Sequence, residues 1–188
     1  MNLQIVGEKS SKKEILVSRG ILSQDPGNIA LFTLREILSH CRLNDRFLAL
    51  AEGSDPLSLE GGVPFAIVTD SLPDRDTLQN FRICICDYDG SERNNGEEDC
   101  RCTTFSTQWE EADFVAKNLH PVASGGNVFE LEGLGIIGRV HLGSISEQTL
   151  RCVLIAAAAA LSCGVSFAEV IEVLNQMATR SFHSDRAV

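Results

Sequence analysis

The stretch that most restricts what this chain can fold into runs from Gly143 to Met177, GSISEQTLRCVLIAAAAALSCGVSFAEVIEVLNQM. Two helices are written into it with start and stop signals. Ser144 and Glu147 read as an S-x-x-E capping box, the serine hydroxyl accepting a free amide while the glutamate reaches back. Leu150, Val153, Leu154, Ala157 and Leu161 then recur at helical spacing and make one apolar face. Gly164 supplies the left-handed residue that ends a helix. Ser166 and Glu169 make a second box, with Val165 placed to staple onto Val170. Phe167, Val170, Ile171, Leu174 and Met177 form the next stripe. The run Ala156 to Ala160 has no bulk, so the first helix can lie very close to whatever it covers.

The surface to be covered is read upstream. Phe65-Ala66-Ile67-Val68 is a continuous apolar run, as expected of a strand buried on both faces. Asp70 to Asp76 gives a turn and a short helix through Leu78, and Phe81 to Cys86 is a second strand, which predicts a parallel crossover. Met1 to Gly7 and Ile15 to Val17 read as shorter strands, the latter ending at Ser18-Arg19-Gly20. Asp25-Pro26-Gly27-Asn28 is a turn. Ile29 to Leu50 reads as helix, with an interruption at Cys41 to Asp45. Ser91 to Asp99 is a polar, acidic loop. Cys102 to Thr107, Asp113 to Leu119, Asn127 to Leu131 and Ile136 to Leu142 then read as an antiparallel meander. Ser124-Gly125-Gly126-Asn127 serves as a hairpin turn in it, and Gly133, Gly135 and Gly138 mark a further turn or bulge. The expected fold is α/β: a mixed sheet with a parallel core, an antiparallel meander extension and a C-terminal covering helical hairpin.

Charge removes several functions. The net charge of the 188 residues is -10, and phosphate binding needs clustered cations, so no nucleic-acid partner is expected. The only lysines are Lys9, Lys12, Lys13 and Lys117. No apolar run approaches the ~20 residues that span a bilayer, and the N-terminus has no h-region or cleavage site. Seven cysteines, an odd number without a secretory signal, fit reduced thiols. A cytoplasmic, reducing location is expected, with a protein partner or a homo-oligomer and no membrane.

Cys84-Ile85-Cys86 and Cys100-Arg101-Cys102 are two C-x-C pairs, and four thiolates can close a tetrahedral zinc site. Zinc knuckles use C-x₂₋₄-C more often. Residues two apart on a strand share a face, so Cys84 and Cys86 serve equally as small buried apolar residues. Asp87, Asp89, Glu97, Glu98 and Asp99 can gather a divalent cation, yet their spacing is not that of an EF-hand and a solvated loop is the simpler reading. His40-Cys41 invites a nucleophile reading, but adjacent helix residues face different ways. His120, His141 and His183 have no ligand-like spacing. Trp109 suits packing or a partner contact better than a substrate stack.

The order of these segments resembles the distal part of the central domain of the Mur ligase family, ATP-dependent peptidoglycan amino-acid ligases with folylpolyglutamate and cyanophycin synthetases as relatives. Phe65-Ala66-Ile67-Val68-Thr69-Asp70-Ser71-Leu72-Pro73 looks like the family's strand and N-x-D-D-P turn. Glu111 to Leu119 and Gly125 to Leu131 look like its A-D-v-x-a-x-N and g-g-x-x-F-x-l meander. Leu142-Gly143 and Ala156 to Ser166 look like its L-G-x-H-N-x-x-N-A segment and helical hairpin. On this reading residues 63–178 are the ligase-like region, 1–62 an N-terminal α/β segment matched poorly, and 179–188 a tail.

The departures fall on the chemistry. The family holds ATP in a G-x-x-G-K-[ST] loop, where backbone amides and a lysine cradle phosphate, and the chain has no such loop. Gly7-Glu8-Lys9-Ser10-Ser11 lacks the glycine pair and puts a carboxylate in the phosphate's place. The family also uses a carbamylated lysine for a second magnesium, and no lysine occurs between Lys13 and Lys117. The family's His-Asn-x-x-Asn is replaced by Ile145-Ser146-Glu147-Gln148-Thr149. Only Thr179 to Val188 follow the hairpin, so the domain carrying the incoming amino acid is not expected. The resemblance therefore implies a non-catalytic Mur-ligase-related protein, an assembly or regulatory subunit with no catalytic residue and no cofactor. An ATP/Mg-dependent amide ligase, or a fragment of one, is the alternative. A small metal- or redox-linked protein holding zinc at Cys84, Cys86, Cys100 and Cys102 is the second alternative.

Overall fold

In a computed structural model, residues 13–19, 29–50, 63–69, 76, 79–88, 102–123 and 125–179 are described. The first strand expected, Met1 to Gly7, and the acidic loop Ser91 to Asp99 lie outside them, as does Gly7 to Ser11.

The strands are β1 (Glu14–Arg19), β2 (Phe47–Leu50), β3 (Val63–Thr69), β4 (Ile83–Asp87), β5 (Cys102–Ser106), β6 (Phe114–Pro121), β7 (Asn127–Gly133) and β8 (Ile136–Leu142). The helices are α1 (Ile29–His40), α2 (Glu147–Ser162) and α3 (Phe167–Thr179). All eight strands form one sheet in the order β2-β1-β3-β4-β5-β6-β7-β8. Pairing is parallel from β2 through β6 and antiparallel for β6-β7 and β7-β8. The mixed α/β sheet with its parallel core is therefore as the sequence predicts. Two details differ. β5 is paired in parallel on both sides and belongs to the core, so the meander is β6 to β8 only. Phe47 to Leu50 is a strand beside β1, not the end of a long helix.

The helix before it stops without a glycine. Arg42 takes the left-handed conformation, with φ 57°. The Leu43 amide then donates to the Leu38 carbonyl at 2.8 Å and the Arg42 amide to Ser39 at 3.0 Å. That is the Schellman pairing, which satisfies carbonyls the helix end leaves open. α2 ends the same way, here on a glycine: Gly164 has φ 88°, and Val165 donates to Ala160 at 3.2 Å. Its start differs from the expected box. The cap is Ser146, whose hydroxyl accepts from the Thr149 amide at 3.1 Å, and Ser144 plays no capping part. Ser166 and Glu169 form the predicted reciprocal box before α3.

Strand alternation sorts the sheet into two faces. Leu16, Val68, Ile85, Phe105, Phe114, Phe129, Leu131 and Val140 share one core with all three helices. From Cys152 to Leu161 every residue of α2 is buried. A helix apolar all round is an interior helix, so the single stripe expected from sequence is corrected: α2 touches the sheet, α1 and α3. The alanine run permits this, because three neighbours must approach one axis. The opposite face carries Ile67, Cys84 and Cys86 in a smaller cluster with Phe81 and Cys102 against it.

Among the described residues β8 is an edge of the sheet, and exposed edges template pairing with other chains. Asn175 of α3 blunts it. Its side chain accepts from the His141 amide at 2.7 Å and donates to the Arg139 carbonyl at 3.2 Å, as a neighbouring strand would.

Candidate functional site

The parallel order β2-β1-β3-β4-β5 reverses direction between β1 and β3. In sheets of this kind ligands bind outside the carboxyl ends of the strands at such a point. Buried polar side chains gather at that edge. Thr69, Asp87 and Ser106 end β3, β4 and β5, and each is buried. Asp87 is 1% exposed and is met by Arg151, whose guanidinium reaches it from α2 in an ion pair. Ser106 accepts from the amides of Gln108 at 2.9 Å and Trp109 at 2.7 Å, which turns the chain out of the sheet. Asp113 fastens the far side of that turn, accepting from the Thr104 amide at 2.8 Å and hydroxyl at 2.9 Å.

Beside this edge lies a groove of about 390 Å³ lined by Gln108, Glu110, Lys117, Glu147 and Leu150. Lys117 is its one lysine, with Nζ 2.7 Å from Glu132 and 3.3 Å from Glu110. The Glu132 hydrogen bond, with help from Glu110, holds its ammonium above the ordinary lysine range. A lysine so stabilised as a cation is a poor nucleophile toward carbon dioxide.

The sequence-predicted metal ligands converge in part. Cys84, Cys86 and Cys102 come from adjacent strands, with Cys84 directly opposite Cys102, and their sulfurs lie within 4.8 Å of one another. Cys84 and Cys86 are buried and Cys102 is half-buried. Hydrogen bonds to Cys102 and Cys86, followed by burial, push the Cys84 thiol up. Cys100 lies outside the described residues.

The other candidates separate. Asp87 is paired with Arg151 and faces the helices; Asp89, Glu97, Glu98 and Asp99 are outside the described residues. The Cys41 thiol is pushed up, first by burial and then by Glu169 and Glu172. That is the reverse of an activated nucleophile. His120 and His141 are exposed, on β6 and β8. Sequence reasoning missed Arg151, hidden as one cation within an apolar helix; its position five residues after the Ser146 cap, above the strand ends, was the available signal.

No protein-family model matches the sequence, and no curated protein matches it. The fold does have relatives among solved structures. The α/β fold matches that of solved ligases of the Mur type. MurF from Acinetobacter baumannii superposes with a TM-score of 0.61 at 14% identity, covering 90% of this chain and 47% of that one. A pseudomurein peptide ligase type C from Methanothermus fervidus gives 0.60 at 12% identity, over 89% of this chain and 50% of that one. UDP-N-acetylmuramate-alanine ligase MurC from Thermotoga maritima gives 0.59 at 13%, over 89% and 45%. The chain thus has a Mur-ligase fold and spans about half the length of the ligases it matches. The match covers 90% of the chain, and β1 and β2 pair into the same sheet as the later strands.

Proposed function

We propose that this chain is a non-catalytic relative of the Mur ligases that works in the cytoplasm as an assembly or regulatory subunit, through contacts with a protein partner or a second copy of itself. The single observation that carries the reading is the state of the strand ends. A phosphate loop occupies a strand-to-helix connection, and the connection from β1 to α1, residues 20–28, reads GILSQDPGN, with no lysine and no G-K-[ST]. At the same edge the buried Asp87 carboxylate is neutralised by Arg151 of its own chain. The groove beyond is acidic, with Glu110 and Glu147 on its wall, which opposes a polyanion. Exposed Trp109, Leu119, Leu134, Ile136 and Ile137 offer apolar surface for contacts.

Calorimetric titration of the full chain with Mg-ATP tests this. The expectation is no saturable heat up to about 1 mM nucleotide. Micromolar affinity abolished by Asp87→Asn would overturn the reading in favour of an ATP-dependent amide ligase.

A further inference from the structure

We propose that Cys84, Cys86 and Cys102 form a binding site for one thiophilic d¹⁰ cation, Zn(II) or Cu(I), on the sheet face turned away from the helices. The proposal stands apart from the ligase-related function, because it uses none of the residues at the strand ends.

Three features support it. The first is convergence. Cys84 and Cys86 are two residues apart on β4 and therefore share a face, and Cys102 is the register partner of Cys84 on β5. With the sulfurs within 4.8 Å of one another, an ion centred among them sits no more than about 2.8 Å from each, against ~2.3 Å for a zinc–thiolate bond. Rotation about χ1 by roughly 15–20°, inside the width of a rotamer well, closes that gap without moving the strands. The second is donor chemistry. The group is all sulfur, which selects soft ions over magnesium or calcium, whose ligands are oxygen. The third is access. Cys102 is half-buried, so an ion reaches the site from solvent while Ile67 and Phe81 shield its inner side.

Packing alone explains the other buried thiols better than these. Cys152 and Cys163 sit singly in the helical core, and no other group of three ligand-type side chains among the described residues has this spacing. Three thiolates complete a trigonal Cu(I) site, whereas Zn(II) keeps a fourth position for a ligand from outside the three. In either case each bound thiol gives up its proton to solvent, so binding releases protons and strengthens as pH rises.

The test is titration of the reduced full-length chain, under argon, with Zn(II) and separately with buffered Cu(I). Co(II) serves as the spectroscopic probe for sulfur ligation. One equivalent per chain is expected, with Cys102, the half-buried thiol of the three, protected from a disulfide reagent once metal is bound. Cys102→Ser, at the half-buried position least needed for folding, should weaken binding by at least about 100-fold, more than loss of an outer-shell group does. Cys152→Ala should leave it intact. Saturation by Zn(II) but not Cu(I), or the reverse, identifies the ion. Absence of stoichiometric binding to folded, fully reduced protein overturns the proposal. Undiminished binding by Cys102→Ser, or a Cys84–Cys102 disulfide with no metal uptake after reduction, overturns it equally.

Discussion

On the face covered by helices, the strands present Leu16, Val68, Ile85, Phe105, Phe114, Phe129 and Val140, an unbroken apolar layer. On the other face the same sheet presents Ile67 with Cys84, Cys86 and Cys102, then Thr104 and Ser106, and finally a charged ladder. In that ladder Lys117 pairs with Glu132, and Arg139 lies 3.6 Å from Glu130. One face is therefore defined by volume and the other by chemistry that changes from strand to strand. A close-packed layer against an alanine-lined helix tolerates little change in volume. A solvated ion pair contributes little stability, so its residues are free to differ.

The comparison is strained most by Arg151, a cation on the apolar side. Arg151→Ala removes the ion-pair partner of the buried Asp87 carboxylate and should cost about 3 kcal/mol, the low end for a broken buried pair because the guanidinium is partly solvated. Urea unfolding measures it. Replacing both partners by apolar residues, Arg151→Met with Asp87→Leu, should restore most of the loss. A single variant within error of the parent would show that other contacts hold Asp87, and the two-face division would then weaken at its polar end.

A pair of substitutions on β8 sets the faces directly against each other. A side chain at Gly138 would put its Cβ 2.6 Å from the Ile171 side chain and 2.9 Å from Phe167. Gly138→Val should therefore lose about 1–3 kcal/mol by overpacking between β8 and α3. Ile137→Thr, one residue away and 62% exposed, should change stability by less than about 0.5 kcal/mol. Equal costs would erase the distinction drawn between the faces.

How far the sequence reveals all this depends on whether a feature is local. The continuous apolar run that buries Phe65 to Val68, the box at Ser166 and the glycine at Gly164 are each set within a few residues, and each is legible. The end of α1 is not, because Arg42 fills a left-handed position usually marked by glycine and Phe47 to Leu50 then has too few residues to show a period. The parallel pairing of β5 is decided by neighbours on both sides, which no local pattern encodes. At the strand ends, Asp87 reads as part of an acidic loop until the fold places Arg151 above it. The thiol pairs announce themselves by spacing, but only the register of β4 against β5 brings three sulfurs together.

The start of α2 tests that same distinction between local signal and observed contact. Ser144 is the cap read from the sequence, whereas Ser146 is the residue that bonds the Thr149 amide. Ser146→Ala should cost about 1 kcal/mol, and Ser144→Ala should be neutral by the same thermal unfolding measurement. The reverse order would move the helix start by two residues and carry Arg151 away from Asp87.

The smallest effect concerns the box that starts α3. The Glu169 carboxyl accepts from the Ser166 hydroxyl at 2.6 Å and amide at 3.0 Å, and these bonds hold it below its ordinary value of 4.5. A group whose folded value is depressed binds more protons when unfolded. Its contribution is therefore fully present above about pH 4.5 and disappears as pH falls through the lower, folded value. Glu169→Gln removes the titration while keeping a side chain that can still accept from Ser166. The stability difference between parent and variant should be constant from neutral pH down to the ordinary carboxyl range and then shrink on further acidification. A difference that stays constant down to about pH 3 would mean that the carboxylate is not the form that fastens α3, leaving the packing of Phe167 and Val170 against the sheet to set that helix in place.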